Sequence, residues 1–211
     1  GGTNSKRPRR RPVPKLELAR RRGVRPTALH GAREALLLAL LGILSSALAF
    51  VIDHLARELQ LLRLRLSHMD VSHAVGLVIW AACAVVPCLV SAACVHLVSP
   101  HAAGSGIPIM KAALSGAAME KYLSLRTLFA KALGLCAALG GGLPVGKEGP
   151  FVHMASCLAH ALCRLPVFAP LFSQADGESL RRQILAAGCA AGVSATFGSP
   201  MGGVLFSIEV T

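Results

Sequence analysis

Apolar residues along this chain come in long runs rather than at alternating positions, and Gly, Pro and short charged clusters separate the runs. The first run, about Ala35 to Ile52, is apolar apart from a few serines and is long enough for a membrane helix. Asp53, His54, Arg57 and Glu58 follow it, and 59–66 continues with leucines around Arg63 and Arg65. That pattern predicts one long tilted helix whose last turns leave the bilayer. The second run, Val71–Val98, holds no formally charged residue from Ala74 to Val98, and Pro87 predicts a kink inside it. His96, near its end, reads as a polar tip at the membrane interface.

Beyond this point the runs are shorter and broken. Ser99–Pro108 reads as a loop with a new helix starting near Ile107, and Met110–Ala118 as a helix too short to span. Glu120, Lys121 and Tyr122 make a polar break before a further span, Leu123–Leu139, which only Arg126 and Lys131 interrupt. Glycines and prolines at 140–150 then stop that helix, and Pro150 suits the first position of the next, Phe151–Leu162, again too short to cross. Residues 165–176 read as a loop and Ile184–Thr196 as an Ala/Gly-rich helix; 197–203 breaks it before Val204–Val210. Short, broken apolar segments of this kind mark discontinuous helices whose ends meet at mid-membrane to hold an ion. Small residues at 186–194 and 202–203 suit close helix approach.

Composition agrees with a membrane protein: mean hydropathy is +0.59 and only 15% of residues are charged, against roughly 25% in soluble domains. The net charge of +12 is concentrated at the start, where residues 1–25 hold ten of the 22 Lys/Arg and one acidic residue. Residues 1–33 therefore read as a disordered basic tail, and 34–211 as the membrane domain. The tail suggests nucleic acid by charge alone, but no aromatic or groove-reading motif accompanies it, and none is expected as a partner. Next to an apolar span it reads as a cytoplasmic flank. The seven cysteines all lie in apolar runs without metal-ligand spacing, so they read as small hydrophobes, with no metal or cofactor implied. The chain starts without Met and stops inside an apolar segment, which reads as a piece of a longer protein.

Two glycine-rich turns carry candidate chemistry. Gly104, Ser105, Gly106, Ile107 and Pro108 join a hydroxyl to a helix start, where Ser105 and the amides of Gly106 and Ile107 can donate to an anion; the plainer reading is a capped turn. Gly146, Lys147, Glu148, Gly149 and Pro150 put a charged pair between apolar runs, where an ionisable residue is a functional candidate; the plainer reading is a wet loop. The Glu148 carboxylate is itself an anion and competes for the amides a permeating anion needs, and protonation would release it. Gly141 to Lys147 also has the spacing of a phosphate-binding loop, but Glu148 replaces the required Ser or Thr and a helix, not a strand, precedes it.

These two turns, with the ending Gly202-Gly-Val-Leu-Phe-Ser-Ile-Glu-Val210, resemble the CLC family of chloride channels and chloride/proton exchangers, in its animal plasma-membrane channel branch. The resemblance covers roughly 34–211. It implies an all-α polytopic fold of broken, re-entrant helices, one of two inverted repeats, in a homodimer within the lipid bilayer. It further implies voltage-gated passive conduction of chloride with no chemical catalysis, Ser105 at the central ion, Glu148 as gate, and the amides around Gly146 and Gly149 as an outer anion site. The family's third filter segment and pore tyrosine belong to the second repeat, which this sequence does not include. Ile109 stands where many relatives carry an acidic residue. Val210 stands where exchangers carry a proton-relaying glutamate, which favours a channel over an exchanger; a non-conducting membrane protein is the other alternative.

Overall fold

The computed structural model describes residues 28–67, 72–117, 119–173 and 177–210. Among them all regular backbone structure is helical, without a strand. α1 (Ala28–Ser67) is a single 40-residue helix, about 60 Å long at 1.5 Å per residue and so twice the hydrocarbon thickness it would cross. It starts inside the stretch read as tail, because the residues just before the apolar run tolerate a helix; residues 1–27 lie outside the described ones. α2 (His73–Ala93) encloses Pro87 and ends in a π-helical turn, Cys94–Val98. These two helices, over Leu29–Ser67 and His73–Val98, are long and apolar enough to cross a membrane.

Shorter helices follow: α3 (Ile107–Leu114), α4 (Leu125–Gly140), α5 (Glu148–Cys163), α6 (Ala169–Phe172), α7 (Gly177–Phe197) and α8 (Pro200–Val210). α5 is the hub. It buries eleven of its sixteen residues, His153 and Ser156 among them, while α2 buries none. Phe151, Val152, Met154 and Cys157 of α5 join Met110, Leu128 and Val193 in one core, and Ala159, Leu162 and Cys163 join Leu37, Leu41 and Ile184 in a second. The glycines of α7 let it lie directly on α5: a Cβ on Gly192 would stand 2.7 Å from Phe151 O. At Gly203 the added carbon would strike Ser194 and the Ala190 carbonyl, so α8 folds back on α7 in the same way.

Two boundaries differ from the sequence reading. α5 starts at Glu148, so Pro150 is its third residue rather than its first. The first-turn N–H groups have no helical acceptor, and a proline there loses nothing. α7 starts at Gly177 instead of near 184, because Glu178, Arg181 and Arg182 extend the helix beyond its apolar part. The short α6 lies within the stretch read as a loop.

Candidate functional site

α3 and α5 both begin where a glycine-containing turn runs into a first turn carrying proline. In α3, Gly106 takes φ +87° at the cap, and Met110 N–H donates the first helical bond to Gly106 O at 3.0 Å. In α5, Lys147 is the cap and Phe151 N–H donates to Lys147 O at 3.0 Å. Amides ahead of those bonds have no acceptor one turn back, so each helix presents free N–H groups and the positive end of its dipole.

The two starts touch. A Cβ built on Gly149 would lie 2.6 Å from Ser105 Cβ and 3.2 Å from Ser105 Cα and O. One turn along the same face of α5, His153 is wholly buried, and a Cβ on Gly106 would lie 2.5 Å from His153 Cβ. His153 Nε2 is 3.0 Å from Tyr122 O; a carbonyl only accepts, so Nε2 carries the proton. The Ser105–Gly106 turn thus rests on α5 through two backbone approaches that side chains would block.

A cavity of about 320 Å³ opens beside this contact, walled by Gly104, Ser105, Lys131, Val145, Gly146 and Pro150 together with the end of α2. Ser105 is exposed to it, and its hydroxyl has no hydrogen-bond partner among the described residues. Lys131 is the residue that sequence reasoning passed over as a mere interruption. It is only 5% exposed, and Nζ donates to Gly104 O at 2.8 Å. No carboxylate pairs with it among the described residues. A buried ammonium without a counter-charge makes the cavity wall electropositive, which favours an anion beside it. A lysine inside an apolar helix was the signal that could have found it.

Glu148 is half-buried at the first position of α5, with Oε2 folded back to 2.7 Å from where a Gly146 Cβ would stand. It sits beside the helix start, although no hydrogen bond joins it to the first-turn amides among the described residues. Lys147 turns away from the cavity and pairs with Asp53 of α1, Nζ to Oδ2 at 2.8 Å and to Oδ1 at 3.0 Å. Gly106, Ile107, Pro108, Glu148 and Gly149 adjoin this cavity in sequence but are not among the residues that line it. Asp53 is a second residue the sequence did not single out, because its partner lies 94 positions away.

The family model for voltage gated chloride channels matches residues 87–211, which takes in both turns, Lys131 and Glu148. The chain belongs to this family. It is 46% identical to chloride channel protein clh-3 of Caenorhabditis elegans over 181 residues, 85% of this chain and 18% of that protein. Against human chloride channel protein 1 it is 43% identical over 180 residues, 84% of this chain and 18% of that protein. The chain therefore spans about a fifth of the length of these relatives. A crystal structure titled as a eukaryotic CLC transporter superposes with a TM-score of 0.79 at 42% identity, over 87% of this chain and 34% of that one. The expected all-helical CLC architecture is thus met by both sequence and coordinates.

Proposed function

We propose that the cavity between the starts of α3 and α5 is part of a chloride pathway, and that this chain belongs to a voltage-gated channel conducting passively, without chemical catalysis. The observation that carries the reading is convergence: residues that flank two helix starts and a buried lysine line one cavity, although they lie up to 46 positions apart in sequence (Gly104 to Pro150). All three favour an anion on electrostatic grounds. Ser105 donates its hydroxyl, and the amides of Gly106 and Ile107 stand behind it. Glu148, charged and adjacent to the same helix start, competes with chloride and acts as the gate. Lipid meets the exposed apolar faces of α1 and α2, where Phe50 is 72% and Leu77 67% exposed. We place the protein in the plasma membrane as a homodimer with its basic N-terminus in the cytoplasm.

A second reading, proton-coupled exchange, is favoured by the likeness to a structure titled as a transporter. Val210 argues against it, since a valine relays no proton. Patch-clamp recording of the full-length protein and its Glu148→Gln variant tests both. External acid should raise the open probability of the wild type, because protonation removes the charge that competes with chloride. Glu148→Gln should conduct with little dependence on voltage or external pH. Closure of the variant with wild-type voltage dependence would remove Glu148 from the gate. A reversal potential that moves toward the proton equilibrium potential under a pH gradient would favour the exchanger.

A further inference from the structure

Resting on the gate reading above, we propose that Arg63 of α1, assisted by Gln60, is a positioning residue for the segment that carries Glu148. At the end of α4 the backbone itself meets the last carbonyls, with Gly141 N–H on Ala137 O, Leu143 N–H on Ala138 O and Gly142 N–H on Leu139 O, and Gly141 O at the entrance to the 141–147 loop is met by a side chain. Arg63 Nη1 donates to Gly141 O at 2.9 Å, and Gln60 Nε2 donates to Leu139 O at 2.9 Å. At the other end of the loop, Lys147 is held by Asp53. At 100° per residue, Asp53, Gln60 and Arg63 fall on one side of α1. A single helix therefore grips both ends of the seven residues that precede Glu148.

Arg63 is the stronger grip. It is half-buried, its guanidinium lies 5.2 Å from the ring centre of Trp80 in α2, and its Nη1 stands in the space a Cβ on Gly142 would take. Gly142, at φ +80°, thus meets two demands that a side chain would fail. α1 also approaches α4 closely here, since a Cβ on Gly140 would stand 2.6 Å from Leu59 Cβ and Cδ1. Within the loop, backbone bonds run from Gly142 N–H to Leu139 O, Leu143 N–H to Ala138 O and Val145 N–H to Leu143 O, while between Gly142 and Gly146 no side-chain hydrogen bond is found among the described residues, so the side-chain ties lie at its two ends. Release of Gly141 O lets the loop shift, and Glu148 with it.

The test compares four forms of the full-length protein: wild type, Arg63→Met, Glu148→Gln and the double variant. Surface amount, reversal potential and the open-to-closed ratio against voltage are recorded for each. Arg63→Met should shift the open-to-closed ratio by roughly fivefold, as the net loss of one hydrogen bond allows, at unchanged reversal potential. Adding Arg63→Met to Glu148→Gln should change nothing, because no carboxylate remains to be positioned. An unchanged ratio in Arg63→Met, or an equal shift in both backgrounds, overturns the proposal. If Glu148→Gln itself gates normally, the gate reading fails first and is recognised as such. Should Arg63→Met not reach the surface, Arg63→Lys and Gln60→Ala replace it. Arg63→Lys keeps the charge but not the planar contact with Trp80, and wild-type gating in both substitutes overturns the proposal.

Discussion

Gly149→Ala adds one methyl group at the contact between the two helix starts. The new carbon would stand 2.6 Å from Ser105 Cβ, where non-bonded carbons prefer about 3.5–4.0 Å, so the turn and the helix must part by roughly 1 Å. α5 has little room to shift, since it also lies on Gly188 and Gly192 of α7, where an added carbon would stand within 3.2 Å of its backbone. The turn has little room either, because Gly106 already abuts His153 and Gly104 O is held by Lys131. Overpacking of this kind costs about 1–3 kcal/mol, and the only free direction carries Ser105 into the cavity. The expected outcome is protein that reaches the surface in reduced amount and whose remaining current has an altered thiocyanate-to-chloride permeability ratio. Gly146→Ala is the control, because its neighbour there is the movable Glu148 carboxylate rather than backbone. That variant should disturb gating and leave the permeability ratio alone. Wild-type surface amount, conductance and selectivity in Gly149→Ala would refute the contact.

Gly192→Ala should lower thermal stability in detergent by about 1–3 kcal/mol, because the added carbon meets Phe151 O at 2.7 Å and Val152 Cα at 2.8 Å. Gly188→Ala, whose nearest neighbour is the Ala159 methyl at 3.0 Å, should cost less; the reverse order in melting curves would contradict the α5–α7 packing. In a double-mutant cycle, Asp53→Asn and Lys147→Gln should show a coupling of only about 0.2–1 kcal/mol, since both side chains are substantially exposed, and it should shrink in high salt. A salt-independent coupling above that range would mean the pair is shielded from water.

Local sequence carried the helices and the breaks between them. Apolar runs located α1, α2 and α4, and the Gly/Pro clusters marked the loops at 99–106 and 141–147, because both signals act within a few residues. Helix starts were less legible. Pro150 fits any first-turn position, and the polar beginning of α7 offers helix formers without an apolar face. The contacts that shape the site were least legible. Lys131 with Gly104, Lys147 with Asp53 and Arg63 with Gly141 join residues 27, 94 and 78 positions apart. No periodicity encodes such pairings. A lone charge in an apolar helix says that a partner is needed without saying which.

The packing of α5 limits how any gate here can work. Gly149 and His153 are fixed against the Ser105–Gly106 turn, and Phe151 and Val152 touch the backbone of α7 at Gly192. Moving this helix to open a path would separate both contacts and expose a core that includes Phe151, Val152, Met154 and Cys157. Opening gaps in a close-packed core forfeits many van der Waals contacts at once and costs several kcal/mol, more than a helix-end charge can supply, at most about 2 kcal/mol. Glu148 differs from its neighbours: it is half-buried and nearest to Gly146, which has no side chain to obstruct it. Rotation of that one side chain leaves the core intact. Under the proposed gate reading, the energetics of α5 confine the movement to the Glu148 side chain, so that an immobile helix can still begin with a movable charge.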